Sequence, residues 1–317
     1  MEILITGGAG FIGSQLAKYI KKTSPETRIV IYDIFDTMQK LGNGNSKYLG
    51  SYKNLIDLDC EIICGDLKDI YNNLVGEKYN FDVIYHLAAV SDTRAENQND
   101  ILKNNLNPIK SIIKLANIYN SRIVYASSAA VYGSLPKDKC IIGEESPENV
   151  YAFSKLCMDN YIKKNPPAKG FVGLRYFNVY GPGEDYKYKT ASVANQILKN
   201  IKNNKDINLF EKSNEIFRDF VYIQDVIEAT AKAGSANKSG VVNIGSGIAE
   251  NFQTLTNIIL DESETSVSIN YIKNPYKDGY QFYTRACLDE TKRIIDWEPR
   301  FSLKTGIIDY IENNKNG

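Results

Sequence analysis

Glu2-Ile-Leu-Ile-Thr-Gly-Gly-Ala-Gly-Phe-Ile-Gly13, at the N-terminus, reads as a strand, a glycine turn and the start of a helix. Residues Glu2 to Ile5 are apolar or strand-tolerant, and Gly7, Gly10 and Gly13 follow. Gly8-Ala-Gly10-Phe-Ile-Gly13 also fits the spacing G-x-G-x-x-G. A tight turn out of a strand needs a residue that tolerates unusual φ. A phosphate approaching backbone N–H groups, and a helix packing close to a strand, both need a missing Cβ. A helix over Phe11 to Lys22 would aim the positive end of its dipole at that phosphate. A second strand, Arg28–Tyr32, ends in Asp33, which lies 20 residues beyond Gly13, where a carboxylate meets an adenosine ribose. The pattern predicts dinucleotide binding.

The 317 residues suffice for one large α/β domain or two joined ones, and 43% apolar content supports a sizeable core. Lys+Arg and Asp+Glu are both 38, so a zero formal charge argues against nucleic acid as the main partner. Cys60, Cys64, Cys140, Cys157 and Cys287 are odd in number with no C-x-x-C spacing, as expected of thiols in a reducing compartment. No signal peptide precedes the first strand, and no apolar run approaches the ~20 residues of a membrane span. A cytoplasmic protein is expected. His86 is the sole histidine, so no metal site is expected; it reads as a strand-end residue beneath the cofactor.

Further along, Phe35–Tyr52 reads as a loop at the mouth of the cofactor site. A strand Cys60–Cys64 leads to Gly65-Asp66, where Asp66 either faces the adenine amine or caps the next helix. Phe81–His86 reads as a fourth strand, Asn104 to Tyr119 as a helix, and Arg122–Ala126 as a fifth strand running into Ser127-Ser128. This alternation predicts a doubly wound parallel Rossmann sheet with a smaller α/β substrate lobe. The boundary is expected near residue 174, with segments near 218–247 returning to the sheet. A helix Ser192 to Lys202, strands near Asn208–Phe210, Arg218–Tyr222 and Val241–Ile244, a helix from Phe252 and a last one around Leu303–Ile311 complete the expectation.

Tyr151-Ala-Phe-Ser-Lys155 places a phenol and an ammonium four residues apart, on one helix face. A free tyrosine with a pKa of ~10 is a poor base at neutral pH, and a neighbouring cation favours its phenolate. Lys155 would do this while hydrogen-bonding the nicotinamide ribose, and Ser128 would bind the oxygen of the reacting alcohol or ketone.

These motifs resemble the extended short-chain dehydrogenase/reductases of the NAD-dependent epimerase/dehydratase type. More narrowly, the chain is similar to the ADP-L-glycero-D-manno-heptose 6-epimerases. The superfamily likeness rests on Thr6–Ser14, Tyr125-Ala-Ser-Ser-Ala-Ala130, Val150–Lys155 and Arg175-Tyr-Phe-Asn-Val-Tyr-Gly-Pro182. Thr190-Ala-Ser-Val193, Leu209-Phe-Glu211, Arg218-Asp-Phe-Val-Tyr222 and Gly279-Tyr-Gln281 narrow it to the heptose epimerases.

The resemblance implies epimerisation at C6 of an ADP-heptose, D-glycero to L-glycero, for lipopolysaccharide core. C6 is oxidised to a ketone with bound NADP and re-reduced on the opposite face. Tyr151 matches one base and Lys187 the other, although Lys187 by itself reads as a surface charge. The resemblance also implies backbone contacts from Phe11 and Ile12 to the pyrophosphate and a ribose bordered by Asp33 and Ile34. It assigns Lys40 to a 2′-phosphate, and Leu87, Ala88, Ala89, Val90, Ser91, Asn105, Lys155 and Val179 to the cofactor. Asn178, Lys189, Gln196, Phe210, Glu211, Lys212, Ser213, Arg218 and Tyr280 would hold the ADP-sugar, Arg218 by a bidentate pair with the diphosphate. A homo-oligomer is implied, a pentamer being the family's form. No nucleic acid or membrane partner is expected.

Three features depart from the family pattern. Gly183 stands where arginine is usual, and Lys189 and Gln196 replace a small hydroxyl and an imidazole. Asp33 by its charge favours NAD, whereas the resemblance implies NADP with an acid at that position, helped by nearby basic groups. A UDP-hexose 4-epimerase is the nearest rival reading, and a non-catalytic dinucleotide-binding regulator a more distant one. A 4,6-dehydratase would need an acid–base pair after Ser128, where Ala129 and Ala130 stand.

Overall fold

The computed structural model describes residues 1–134, 140–265, 267–274 and 281–315. The first part of the chain builds β1 (Glu2–Thr6), α1 (Phe11–Thr23), β2 (Arg28–Asp33), β3 (Glu61–Cys64), α2 (Ile70–Leu74) and β4 (Val83–His86). It continues with α3 (Gln98–Asn105), α4 (Pro108–Ile118), β5 (Arg122–Ser128), α5 (Val150–Lys164) and β6 (Phe171–Tyr176). The strands form one parallel sheet in the order β10-β6-β5-β4-β1-β2-β3, where β10 spans Gly240–Ile244. A parallel sheet covered on both faces needs strands that are apolar on both faces. Every residue of β4 and β6 is accordingly buried. Ile3 and Ile5 pack to one side with Leu16, Ala17 and Ile20 of α1, and Leu4 packs to the other with Ile109 and Ile112 of α4. The strand order reverses between β1 and β4, the place where such sheets open a ligand crevice.

The helix expected over Asn104 to Tyr119 is two helices, α3 and α4. Pro108 starts the second, because its ring nitrogen cannot donate the hydrogen bond that would carry α3 through. The fifth strand takes in Ser127 and Ser128, so Ser128 ends it as the sequence suggested. Ser192 caps the next helix rather than starting it: its hydroxyl accepts from Asn195 N–H.

Beyond β6 come β7 (Asn178–Tyr180), α6 (Val193–Lys202), β8 (Ile207–Phe210), β9 (Phe217–Tyr222) and α7 (Ile223–Ser235). After β10 follow β11 (Ala249–Asn251), α8 (Phe252–Ser263), β12 (Ile269–Ile272), α9 (Asp289–Ile295) and α10 (Leu303–Lys315). β11, β9 and β7 form a small sheet and β12 pairs with β8. Strand β10 therefore returns to the large sheet beside β6, whereas β9 stays with the smaller sheet.

Under helix α5, which carries Tyr151 and Lys155, lies a buried polar junction. Asp159 accepts hydrogen bonds from Tyr125 OH and Ser127 Oγ, both at 3.0 Å, and from Arg175 Nε at 3.0 Å and Nη2 at 2.9 Å. Arg175, fully buried, also reaches Glu145 at 2.5 Å and Tyr132 OH at 3.0 Å. Removing one partner of such a pair strands a charge away from water, at a cost of about 3–5 kcal/mol. Asp159→Ala should lose about that much stability in urea denaturation. A loss of under about 1 kcal/mol would show that the junction is not a stabilising unit.

Candidate active site

The glycine turn behaves as its spacing requires. Gly7 sits at φ +71°, and a Cβ there would lie 2.7 Å from the backbone of Ala88. A Cβ on Gly13 would lie 2.4 Å from the Gly7 carbonyl oxygen, so neither position admits a side chain. Gly10 caps α1 without a side-chain hydrogen bond, which leaves the first turn of the helix open to an anion. These groups fit the diphosphate of a dinucleotide. At the end of β2, Asp33 Oδ2 accepts from Ala9 N–H at 3.0 Å and Oδ1 from Phe35 N–H at 3.3 Å.

A cavity of about 510 Å³ runs from this turn along the carboxyl ends of the strands. Gly7, Gly10, Phe11, Ile12 and Gly13 line it together with Asp33, Ile34, Asp66 and Leu87 to Ser91. Asp66 lines the cavity, and its carboxylate accepts from Lys68 N–H to cap a short helical turn, the second of its two readings. At the other end stand Ser128, Tyr151, Lys155, Asn178, Val179 and Lys187.

Helix α5 brings Tyr151 and Lys155 to the same face, with the Lys155 ammonium 5.8 Å from the Tyr151 ring. Both are buried. Lys155 Nζ donates to the Ala126 carbonyl at 2.8 Å. Burial pushes the Lys155 ammonium down to about 8, opposed by the Asp159 carboxylate one turn along, so the charge persists at neutral pH. Burial also raises the Tyr151 phenol, and hydrogen bonding to Ser128 pulls it back.

Lys187 is no free surface charge: its side chain is 22% exposed. It lies 5.3 Å over the Phe11 ring and 3.7 Å from Glu184 Oε2. Glu184 is wholly buried and accepts from Ser192 N–H at 2.6 Å, Ser192 Oγ at 2.5 Å and Gly181 N–H at 3.3 Å. Nothing in the spacing of the sequence marked this acid, because Ser192 and Gly181 meet it only through the folded loop.

Other expected residues stand away from the cavity wall. Lys40 is exposed, and its Nζ donates to Ser46 Oγ at 2.8 Å. Asn105 is buried behind the wall, where it braces Val90 by accepting from its N–H at 2.8 Å and donating to its carbonyl at 3.0 Å. Lys189 and Gln196 are exposed, and Gln196 donates to the Ala191 carbonyl. Phe210, Glu211, Lys212 and Ser213 lie at and beyond the end of β8, outside the wall. Arg218 is buried behind Phe252, 5.7 Å from its ring, and donates to the Phe217 carbonyl. Tyr280 lies outside the described residues. The cavity wall adds residues the sequence did not single out: Tyr48, Leu49, Gly50, Asn104, Phe220 and Phe252 among them. Gly183 sits at φ +96°, and a Cβ there would lie 2.5 Å from Gln15 Nε2, which donates to the Pro182 carbonyl. An arginine at that position would meet both the strain and the clash.

The sole histidine, His86, is buried at the end of β4, with Nδ1 2.8 Å from Thr6 Oγ1. Among the described residues no cluster of histidine, cysteine, aspartate or glutamate could hold a metal ion.

The model of the NAD dependent epimerase/dehydratase family matches residues 3–245, and the chain belongs to that family. Within it, the chain is 35% identical over 98% of its length to the ADP-L-glycero-D-manno-heptose-6-epimerase of Brachyspira hyodysenteriae, covering 96% of that protein. Its structure is similar to that of the ADP-L-glycero-D-manno-heptose-6-epimerase of Helicobacter pylori, with a TM-score of 0.88 and 41% identity, covering 98% of this chain and 95% of that one. The UDP-glucose 4-epimerase of Thermotoga maritima shares the fold, with a TM-score of 0.86 at 22% identity, covering 100% and 99% of the two chains.

Burial lowers the His86 imidazole to about 3, with the Lys155 charge adding to the effect. Below its ordinary pKa of ~6.5 the unfolded chain binds a proton that the folded chain refuses, so stability falls as pH drops from there toward the folded value. Urea denaturation at pH 7 and pH 5 should show a smaller acid loss in His86→Asn than in the parent. Equal losses would show that His86 is not the group responsible.

Proposed function

We propose that the chain is an isomerase that epimerises ADP-D-glycero-D-manno-heptose at C6 to the L-glycero form, supplying heptose for lipopolysaccharide core. One observation carries this reading. A dinucleotide turn and four polar groups, Ser128, Tyr151, Lys155 and Lys187, share one cavity in a chain similar over nearly its whole length to heptose epimerases.

The C6 hydrogen of a sugar is not acidic, which favours oxidation to a ketone over proton abstraction. A nicotinamide dinucleotide, when bound, supplies the hydride acceptor and donor. Ser128 hydrogen-bonds the C6 oxygen while Tyr151 takes its proton. The Lys155 ammonium, fixed by the Ala126 carbonyl, favours the phenolate through its charge. The ketone turns over in the site, and Lys187 then serves the opposite face as the second acid–base group. Glu184 holds Lys187 against Phe11, so the ammonium is placed before substrate arrives. The sugar contacts are assigned to Asn178 on the wall and to Lys189, Gln196, Phe210 to Ser213 and Arg218, with Tyr280 kept among them on the resemblance alone. The NADP that the resemblance implies would need a cation for its 2′-phosphate, and Lys40, assigned to that task, stands outside the wall. A cytoplasmic homo-oligomer, the family's pentamer, completes the reading, and five free thiols suit a reducing compartment. No described helix is long and apolar enough to cross a membrane.

Proton NMR of ADP-D-glycero-D-manno-heptose with the purified protein should show the L-glycero epimer accumulating. Turnover of UDP-glucose with the heptose untouched would sink the heptose assignment and leave the fold standing. Tyr151→Phe and Lys187→Met should each slow epimerisation by about 100- to 10,000-fold. Near-parental rates in the double variant would refute the two-base scheme.

A further inference from the structure

We infer that this chain selects NAD over NADP, and that Asp33 and the segment 36–50 enforce the choice; the inference rests on the dinucleotide reading of the cavity. A dinucleotide diphosphate on the Gly7–Gly13 turn puts the adenosine ribose beside the end of β2. The residue there is Asp33, and it is only 7% exposed. Its carboxylate is fixed by the backbone N–H groups of Ala9 and Phe35. A fixed carboxylate accepts a hydrogen bond from a 2′-hydroxyl and repels a 2′-phosphate.

Space tells the same way. Gly50 packs so closely on Asp33 that a Cβ there would lie 2.7 Å from Asp33 Oδ1. The segment that delivers Gly50 is tied down along its length. Lys47 pairs with Asp100 of α3 at 2.6 Å, Tyr48 OH donates to Asn104 Oδ1 at 3.0 Å, and Asn45 donates to Asp92 at 2.6 Å. The ribose end is therefore walled by a fixed segment, with the Gly50 backbone set against the Asp33 carboxylate.

Charge completes the case. Among the described residues, Lys155 and Lys187 are the only cations lining the cavity. Lys155 is held at the Ala126 carbonyl on β5, three strands from β2, which is about 14 Å at ordinary strand spacing. Lys187 is committed to Glu184. The lysines of the segment itself are engaged elsewhere, Lys40 with Ser46 and Lys47 with Asp100. The second charge at this end, Asp66, is also negative. A 2′-phosphate, nearly doubly charged at neutral pH, would thus face two carboxylates and no cation among the residues that line this end of the cavity.

The purified protein should release NAD, not NADP, when denatured and its nucleotide identified by mass spectrometry. Calorimetric titration of the nucleotide-free protein should give NAD the tighter binding by about tenfold or more, as expected for like charges brought together. Asp33→Asn should narrow that ratio by weakening NAD and relieving NADP. Should that variant fail to fold, Lys40→Ala on the exposed hairpin serves instead, and both affinities should match the parent. NADP binding as tightly as NAD, or NADP binding lost in Lys40→Ala, would overturn the selectivity and leave the dinucleotide site intact. Binding of neither nucleotide would overturn the selectivity and the dinucleotide reading together.

Discussion

The Asp159 carboxylate, buried with four hydrogen-bond donors around it, is the constraint on which the Tyr151–Lys155 end of the cavity depends. It joins β5 through Tyr125 and Ser127, β6 through Arg175 and, being on α5 itself, the helix that carries Tyr151 and Lys155. Two ammonium or guanidinium charges lie near it, Arg175 in direct contact and Lys155 one helical turn away. Burying Lys155 alone would neutralise it, because a charge in a low dielectric is far costlier than a neutral amine. Asp159 opposes that tendency, so the site keeps a cation next to a buried phenol. One buried group therefore serves both the packing of this region and the charge on Lys155.

The opposite wall follows the same rule with different parts. Glu184 is buried and raised by its burial, with Lys187 and Ser192 drawing it back toward the charged form. Lys187 gains a fixed place over Phe11, a residue of the dinucleotide turn. The two walls are thus linked through α1: its first turn lines the cavity beside the glycine turn and also carries the ring on which Lys187 rests.

Much of this was legible in the sequence, and the limits have physical causes. Local signals worked. The strand, turn and helix from Glu2 to Thr23, the spacing of Tyr151 and Lys155, and the strand ending at Ser128 depend on neighbours a few residues apart. The single helix expected over Asn104 to Tyr119 failed because apolar periodicity continues through Pro108 while the hydrogen-bond ladder does not. The contacts of Glu184 and Gly50 were invisible in the sequence, since each meets its partner only in the folded chain. Phe35–Tyr52 was readable as a loop at the cofactor mouth; that it walls in Asp33 needed the ties to α3.

The central claim is that C6 is inverted by oxidation and re-reduction within one closed site, with the same hydrogen leaving and returning. Turning over unlabelled ADP-heptose in heavy water and reading C6 of the product by NMR and mass spectrometry tests it directly. The account predicts an epimerised product free of deuterium at C6. One deuterium gained at C6 per inversion would mean that the carbon exchanges a proton with solvent, and would contradict it.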